Sequence, residues 1–318
     1  MRFVVATHGH CFDGLASATL FTRLVRAITG DVDFVYHACG YGSGQPRPSE
    51  TLLDGDENAI LDYRYFPSPR LTWYFDHHRT AFRTDSDRTN FDRRVGDGHF
   101  FFDPEYSSCT KLIADVARER FGVADPLLDD LVRWADVIDA ARFDDAAAAV
   151  DRSHPVMRMV AVVEHHGDDA LLGKLIPELL SKPLLDVARG EEIERRYKPL
   201  GAKHDRFIER VKQRAERCGR VVFVDLTDAV LESVGKFVTY ALFPDSTYSV
   251  IVGKLNSGVK ISVGYNPWSG HELDTDISAI CARHGGGGHP VVGGISFESS
   301  ELERARGVAR EIVHELMQ

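Results

Sequence analysis

Residues 2–30 read RFVVATHGHCFDGLASATLFTRLVRAITG, and their order decides the fold class. Arg2 to Ala6 is an apolar, β-rich run of strand length. Thr7 to Gly14 is a loop of small and polar residues. Leu15 to Ile28 repeats apolar residues at helical spacing and is closed by Gly30. Strand, loop and helix in succession open a βαβ unit. Further strand-length runs follow at Phe34 to Ala38, at Ala59 to Leu61 before Asp62, and at Leu71 to Phe75 before Asp76. Lys111 to Arg120 and Leu127 to Ile138 read as helices. This alternation predicts an α/β fold with a mostly parallel sheet in the first half. Open sheets of this kind bind ligands beyond the carboxyl ends of their strands. Thr7 to Asp13, Asp62 and Asp76 to His78 each follow a predicted strand, so they are expected to converge in one crevice.

With 318 residues, the chain has room for two domains. At 43% hydrophobic residues it is expected to bury real cores. The apolar runs are strand-length rather than membrane-spanning, and MRFVVATHGH lacks the pattern of a secretory leader. Five scattered cysteines without CxxC spacing read as reduced thiols in a cytoplasmic protein. The formal net charge of -10 argues against gripping long duplex nucleic acid, whose affinity comes mainly from phosphate neutralisation. It leaves room for short phosphorylated ligands held by a local positive site or a metal.

The stretch from Leu184 to Arg217 is rich in charge and helix formers, and predicts one or two exposed linking helices. A second β-rich region follows. Val221 to Val224, Ser249 to Leu255 and Val259 to Val263 are strand candidates, the last two joined by the turn Asn256-Ser257-Gly258. Phe237 to Leu242, Ile277 to Arg283 and Ser300 to Met317 read as helices. The expected division is a domain over 1–185, a helical linker over 186–217 and a smaller α/β domain over 218–318.

Asp76-His77-His78 puts three metal-capable side chains directly after a strand. Alone, the triplet reads equally well as a surface turn. His8, Asp13 and Asp62, also at strand ends, change that balance. Mixed carboxylates and imidazoles suit divalent ions such as manganese, and an aspartate bridging two ions would support a two-metal hydrolytic site. Near the other end, Gly285-Gly286-Gly287-Gly288-His289 follows a predicted helix. A glycine run is often only a flexible loop, but here backbone N–H groups and an imidazole are candidates to grasp a phosphate. His37, His165 and His166 lack a carboxylate in a strand-end loop and read as structural or solvent-exposed.

Together these segments resemble the DHH phosphoesterase superfamily, in the branch that includes nanoRNA-degrading and pAp-hydrolysing enzymes. The matching motifs run in order over nearly the whole chain. They are His8-Gly9-His10-Cys11-Phe12-Asp13-Gly14, Asp62, Asp76-His77-His78, the Ser-Ser-x-Thr helix start within Tyr106 to Thr110, Asp139-Ala140-Ala141-Arg142-Phe143, and GGGGHP over 285–290 followed by Gly293-Gly294. The resemblance implies a catalytic DHH domain followed by a DHH-associated, substrate-binding domain. It implies that His8 and Asp62 hold one metal ion and that Asp13, Asp62, His77 and Asp139 hold the other, with Asp62 bridging. Asp76 would orient a histidine, and His78 would polarise the phosphate or help the leaving group. Manganese is the implied cofactor, as two ions or one, with magnesium or zinc as alternatives.

Two departures bear on these implications. Cys11 stands where many relatives carry the first aspartate of a D-x-D loop, which leaves the first ion site weaker, filled by zinc or absent. His10 is a substitute ligand or a solvent-facing side chain, and Asp136 is the alternative to Asp139. Relatives also usually place Arg-Ser on the strand before GGGGH, whereas this chain offers Lys260, Tyr265 or Asn266, with Trp268 either stacking a base or packing. The expected activity is metal-dependent hydrolysis of phosphate esters on oligonucleotides, dinucleotides or pAp. The alternatives are a polyphosphate or pyrophosphate hydrolase and a catalytically degenerate nucleotide-binding protein. No membrane partner is expected, and a homodimer is left open.

Overall fold

The run Arg2–His8 forms β1 at the heart of a sheet because Phe3, Val4, Val5 and Ala6 are all buried, so both strand faces are covered. The computed structural model describes residues 1–42, 44–231, 235 and 237–318. It divides into two units, residues 1–142 with 152–197 and residues 143–151 with 198–318.

In the first unit, β1 is followed by α1 (Phe12–Thr29), β2 (Asp33–Cys39), β3 (Glu57–Leu61), β4 (Trp73–Asp76), α2 (Asp85–Arg94), β5 (Phe100–Phe102), α3 (Cys109–Phe121) and α4 (Asp129–Asp139). After α5 (Ala146–Val150), which belongs to the second unit, come α6 (Pro155–His166), α7 (Asp169–Leu179), α8 (Leu184–Ala188) and the first turns of α9 (Glu191–Arg214). The five strands are all parallel, in the order β2-β1-β3-β4-β5. In such an order the direction of winding reverses between β1 and β3, and that is where a crevice opens beyond the strand ends. His8 closes β1 and Asp62 follows β3, so both stand at this point.

The second unit holds β6 (Ala215–Cys218), β7 (Val221–Val230), α10 (Val238–Leu242), β8 (Tyr248–Leu255), β9 (Gly258–Tyr265), α11 (Ile277–Arg283), β10 (Gly287–His289), β11 (Val292–Phe297) and α12 (Leu302–Leu316). Its mixed sheet runs β10-β11-β9-β8-β7-β6, with only β7 and β8 parallel among the described residues. Phe223, Val250, Ile261 and Ile295 meet Ala305, Ala309 and Ile312 of α12 in its core. The fold is thus the expected α/β, with a parallel first sheet and a second, mixed one.

Two local expectations change. The charged stretch from Leu184 to Arg217 is helical until Arg214, but it is not merely exposed: Leu184, Val187, Ile193, Leu200, Phe207 and Val211 are buried. The glycine run is not simply a loop either. Gly287–His289 pairs antiparallel with Val292–Gly294 around the turn Pro290-Val291. Glycine is needed there for backbone proximity: a Cβ on Gly288, whose φ is +155°, would lie 2.2 Å from the Val292 carbonyl oxygen.

Candidate metal centre

Each loop of the crevice is fixed by local chemistry. Gly14 lies in the first turn of α1, and a Cβ there would stand 2.1 Å from the His8 carbonyl oxygen. Its absence lets α1 start tight against the end of β1, and the Thr7 hydroxyl donates to the Gly14 carbonyl at 2.7 Å. This brings Asp13 beside His8. Asp13 is then held by the start of α3: its two carboxylate oxygens accept the backbone N–H groups of Cys109 (2.8 Å) and Thr110 (3.0 Å). A helix N-terminus is a favourable neighbour for a carboxylate. Asp62 adopts φ +53°, a left-handed conformation that aspartate tolerates better than most residues.

The histidines are oriented with equal specificity. His77 Nδ1 lies 3.0 Å from the Tyr106 carbonyl oxygen. That acceptor requires the proton on Nδ1 and leaves the Nε2 lone pair facing inward. His77 Nε2 stands 3.3 Å from Asp139, 3.7 Å from Asp62 and 3.8 Å from Asp13. His8 Nδ1 is 3.5 Å from Asp62. Asp76 is fully engaged within its own turn. One oxygen accepts from the His77 and His78 backbone N–H groups and from His78 Nδ1 at 2.7 Å, and the other accepts from the Tyr74 hydroxyl at 3.0 Å.

The structure therefore brings His8, Asp13, Asp62, His77 and Asp139 into one cluster, with His78 beside it. Ligand atoms of Asp13, His77 and Asp139 lie within 4.8 Å of one another, as do those of Asp62, His77 and His78 and those of His8, Cys11 and Asp62. His8 Nδ1, His77 Nε2 and both oxygens of Asp62 are buried with no hydrogen-bond partner among the described residues. Buried polar atoms are rarely left so, and four of them converging is the arrangement a divalent cation completes. The donor set fits divalent metal ions. Electrostatics agree: burial first, then the charges of Asp13, Asp139 and Asp76, push the Asp62 carboxyl well above its ordinary range. Burial, with His78 nearby, pushes His8 down to about 4 and keeps its lone pair free. Burial, with Asp62, Asp13 and Asp139 around it, pushes the Cys11 thiol up. For His78, burial acts downward, but the Asp76 hydrogen bond and the surrounding carboxylates outweigh it and raise the imidazole.

Other sequence candidates fall elsewhere. His10 is exposed and bonds the Glu164 carbonyl. Asp136 accepts from the hydroxyls of Ser107 and Ser108 at the start of α3. Asn266 is buried on the carbonyls of Pro244 and Ser246, the Tyr265 hydroxyl donates to the His271 carbonyl, and Trp268 Nε1 donates to the Phe143 carbonyl. The Gly285 and Gly286 amides donate to carbonyls at the end of α11, whereas Gly287, Gly288 and His289 are exposed on an edge strand. Ser107, Ser108 and Asp136 are contributors that the sequence pattern underweights, because their effect on Asp13 passes through the α3 N-terminus. Asp136→Ala is expected to weaken divalent-metal binding at the cluster about 10- to 100-fold and Asp136→Asn, which still accepts from Ser107, to recover most of it. Equal metal affinities for both variants and the wild type would remove Asp136 from this role.

No family model and no curated protein sequence matches the chain. Solved structures do. The pGpG-specific phosphodiesterase PggH from Vibrio cholerae aligns over 99% of both chains at 16% identity and a TM-score of 0.65. The DHH domain of a member of a family of ribosomal proteins aligns over all of this chain and 87% of its own, at 14% identity and 0.59. An exonuclease RecJ bound to manganese aligns over 98% of this chain and 90% of its own, at 13% and 0.57. These likenesses show that the chain has the fold of these proteins over nearly its whole length, with its own Asp76-His77-His78 triplet at the end of β4.

Proposed function

We propose that the protein is a metal-dependent phosphoesterase that hydrolyses phosphate esters of short nucleotides. The observation that carries this reading is the convergence of unpartnered, buried His8 Nδ1, His77 Nε2 and Asp62 oxygens at the strand ends. His8 and Asp62 would hold one divalent ion, and Asp13, Asp62, His77 and Asp139 the other, for which manganese or magnesium is the first candidate. Bound there, the ions would polarise a phosphoryl oxygen and acidify the attacking water. The chain's own residues supply position and protons. Tyr106 fixes the His77 tautomer, and the α3 N-terminus holds Asp13. Asp76 holds the proton on His78 Nδ1, so that His78 presents its other nitrogen to the phosphate or the leaving oxygen. Exposed His289, with Gly287 and Gly288, is the second unit's candidate for a terminal phosphate. The short-nucleotide preference is supported by the net charge of -10 and by the full-length likeness to a pGpG-specific phosphodiesterase.

The test is a panel of pAp, pApA, pGpG, short RNA, duplex DNA and polyphosphate, assayed with manganese and with chelator. Hydrolysis of the dinucleotides or pAp is expected with manganese alone, and duplex DNA is expected to resist. His78→Ala is expected to slow kcat about 10²- to 10³-fold, and His289→Ala to raise KM with kcat nearly unchanged. Hydrolysis of polyphosphate and of no nucleotide would overturn the substrate assignment, and activity undiminished by chelator would overturn the metal assignment.

A further inference from the structure

Cys11 sits at the N-cap of α1, yet its side chain makes no capping hydrogen bond. The position strongly favours Ser, Asp, Asn or Thr, so the thiol is not there for the helix. Its sulfur instead lies within 4.8 Å of ligand atoms of His8 and Asp62. Asp62 is fully buried with both oxygens unpartnered, and His8 Nδ1 is unpartnered as well. This half of the centre offers one nitrogen, one sulfur and one oxygen. The other half, Asp13, His77 and Asp139, offers one nitrogen and two carboxylates.

Those donor sets prefer different ions. Thiolate with imidazole and carboxylate, three protein ligands in all, is a composition suited to zinc. Imidazole with carboxylates suits manganese, for which a thiolate is too soft. We propose that the centre sorts its metals: Cys11, with His8 and Asp62, forms a thiolate site for zinc or a similarly thiophilic divalent ion, while Asp13, His77 and Asp139 keep a manganese-type site. The inference rests on the phosphoesterase reading for its biological meaning, but not for its test. Binding replaces the thiol proton, which leaves to solvent, with the metal ion, and no oxidant or reductant is involved.

The probe is cobalt(II), which takes zinc sites and reports a sulfur ligand through thiolate-to-cobalt charge-transfer absorption in the near ultraviolet. Full-length protein is stripped with chelator and titrated with cobalt, then challenged with zinc or with excess manganese. Cys11→Ser and Cys11→Asp are treated identically. Both substitutions introduce better N-caps, and Cys11→Ser adds no charge beside Asp62 and the other carboxylates, so the serine variant keeps the fold in metal-free protein. The expected result is a charge-transfer band at about one cobalt per chain, abolished by one equivalent of zinc and resistant to excess manganese. Both variants are expected to bind cobalt without the band and to lose about tenfold or more of the preference for zinc over manganese. Absence of the band at saturating cobalt, or its persistence in both variants, overturns the proposal. The spectrum is read without substrate. Manganese-dependent hydrolysis without a band refutes the thiolate site alone, and a band in a protein that hydrolyses nothing sustains the thiolate site while refuting the enzymatic reading.

Discussion

Asp62→Asn is expected to abolish hydrolysis and, in chelator-treated protein, to raise the melting temperature. The two effects have one cause. Asp62 has no exposed surface, both of its oxygens lack hydrogen-bond partners, and Asp13, Asp76 and Asp139 surround it. Such a carboxylate serves a bound cation and weakens the fold without one. Asparagine keeps the shape, tolerates the φ of +53° at least as well and removes the charge. A rate loss of about 10³-fold or more is expected from deleting this charge from the proposed metal site. Relief of one uncompensated buried charge is worth about 1–3 kcal/mol, or roughly 2–12 °C for a unit of this size. The pH dependence has a definite sign. The folded-state pKa of Asp62 is raised, so the metal-free wild type loses stability as pH rises from the ordinary aspartate value of 3.8 toward that raised value. The variant's advantage is therefore small in acid, where Asp62 is protonated in both states, and opens as pH rises. Calorimetry in chelator across that range is the measurement, and a variant melting below the wild type at neutral pH would refute the account.

That a single aspartate stands out so clearly follows from how the sequence writes this fold. Strand-end positions are legible because β1, β3 and β4 are short apolar runs ended by polar residues, and a parallel sheet gathers such ends on one side. His8, Asp62 and His77 need no other signal. What holds them is less legible. Asp13 depends on backbone N–H groups of Cys109 and Thr110, about a hundred positions away, and backbone donors carry no residue code. The Ser107–Asp136 bond and the Tyr106 carbonyl behind His77 are likewise tertiary. In α9 the signal is present but outvoted: Ile193, Leu200, Phe207 and Val211 recur at heptad-like spacing among charges and are the residues it buries. The glycine run is legible only in part. Glycine permits both an anion site and a close-packed hairpin, and the pairing of Gly288 with Gly293 that makes the hairpin is again tertiary.

Gly14→Ala is the second substitution expected to have a large effect, although it removes no chemical group. Gly14 sits in the first turn of α1, and an added Cβ would stand 2.1 Å from the His8 carbonyl oxygen and 2.9 Å from its carbon. Both obstacles are backbone, so no side-chain rotation relieves them. Either the end of β1 or the start of α1 must move. Movement of β1 carries His8, and movement of α1 carries Cys11 and Asp13 away from the amides of α3. Overpacking of this kind costs about 1–3 kcal/mol or more, and a displacement near 1 Å in catalytic groups costs on the order of 10²-fold in rate. The variant is therefore expected to melt lower, to bind metal more weakly and to lose about 10²-fold or more in kcat. Gly173→Ala in α7 is the control, because an added Cβ there meets nothing within 4 Å and the position is exposed on a helix. It is expected to gain up to about 1 kcal/mol from helix propensity and to leave metal binding and rate unchanged. If Gly14→Ala titrates with manganese as the wild type does, the contact between α1 and the end of β1 does not set the geometry of the centre.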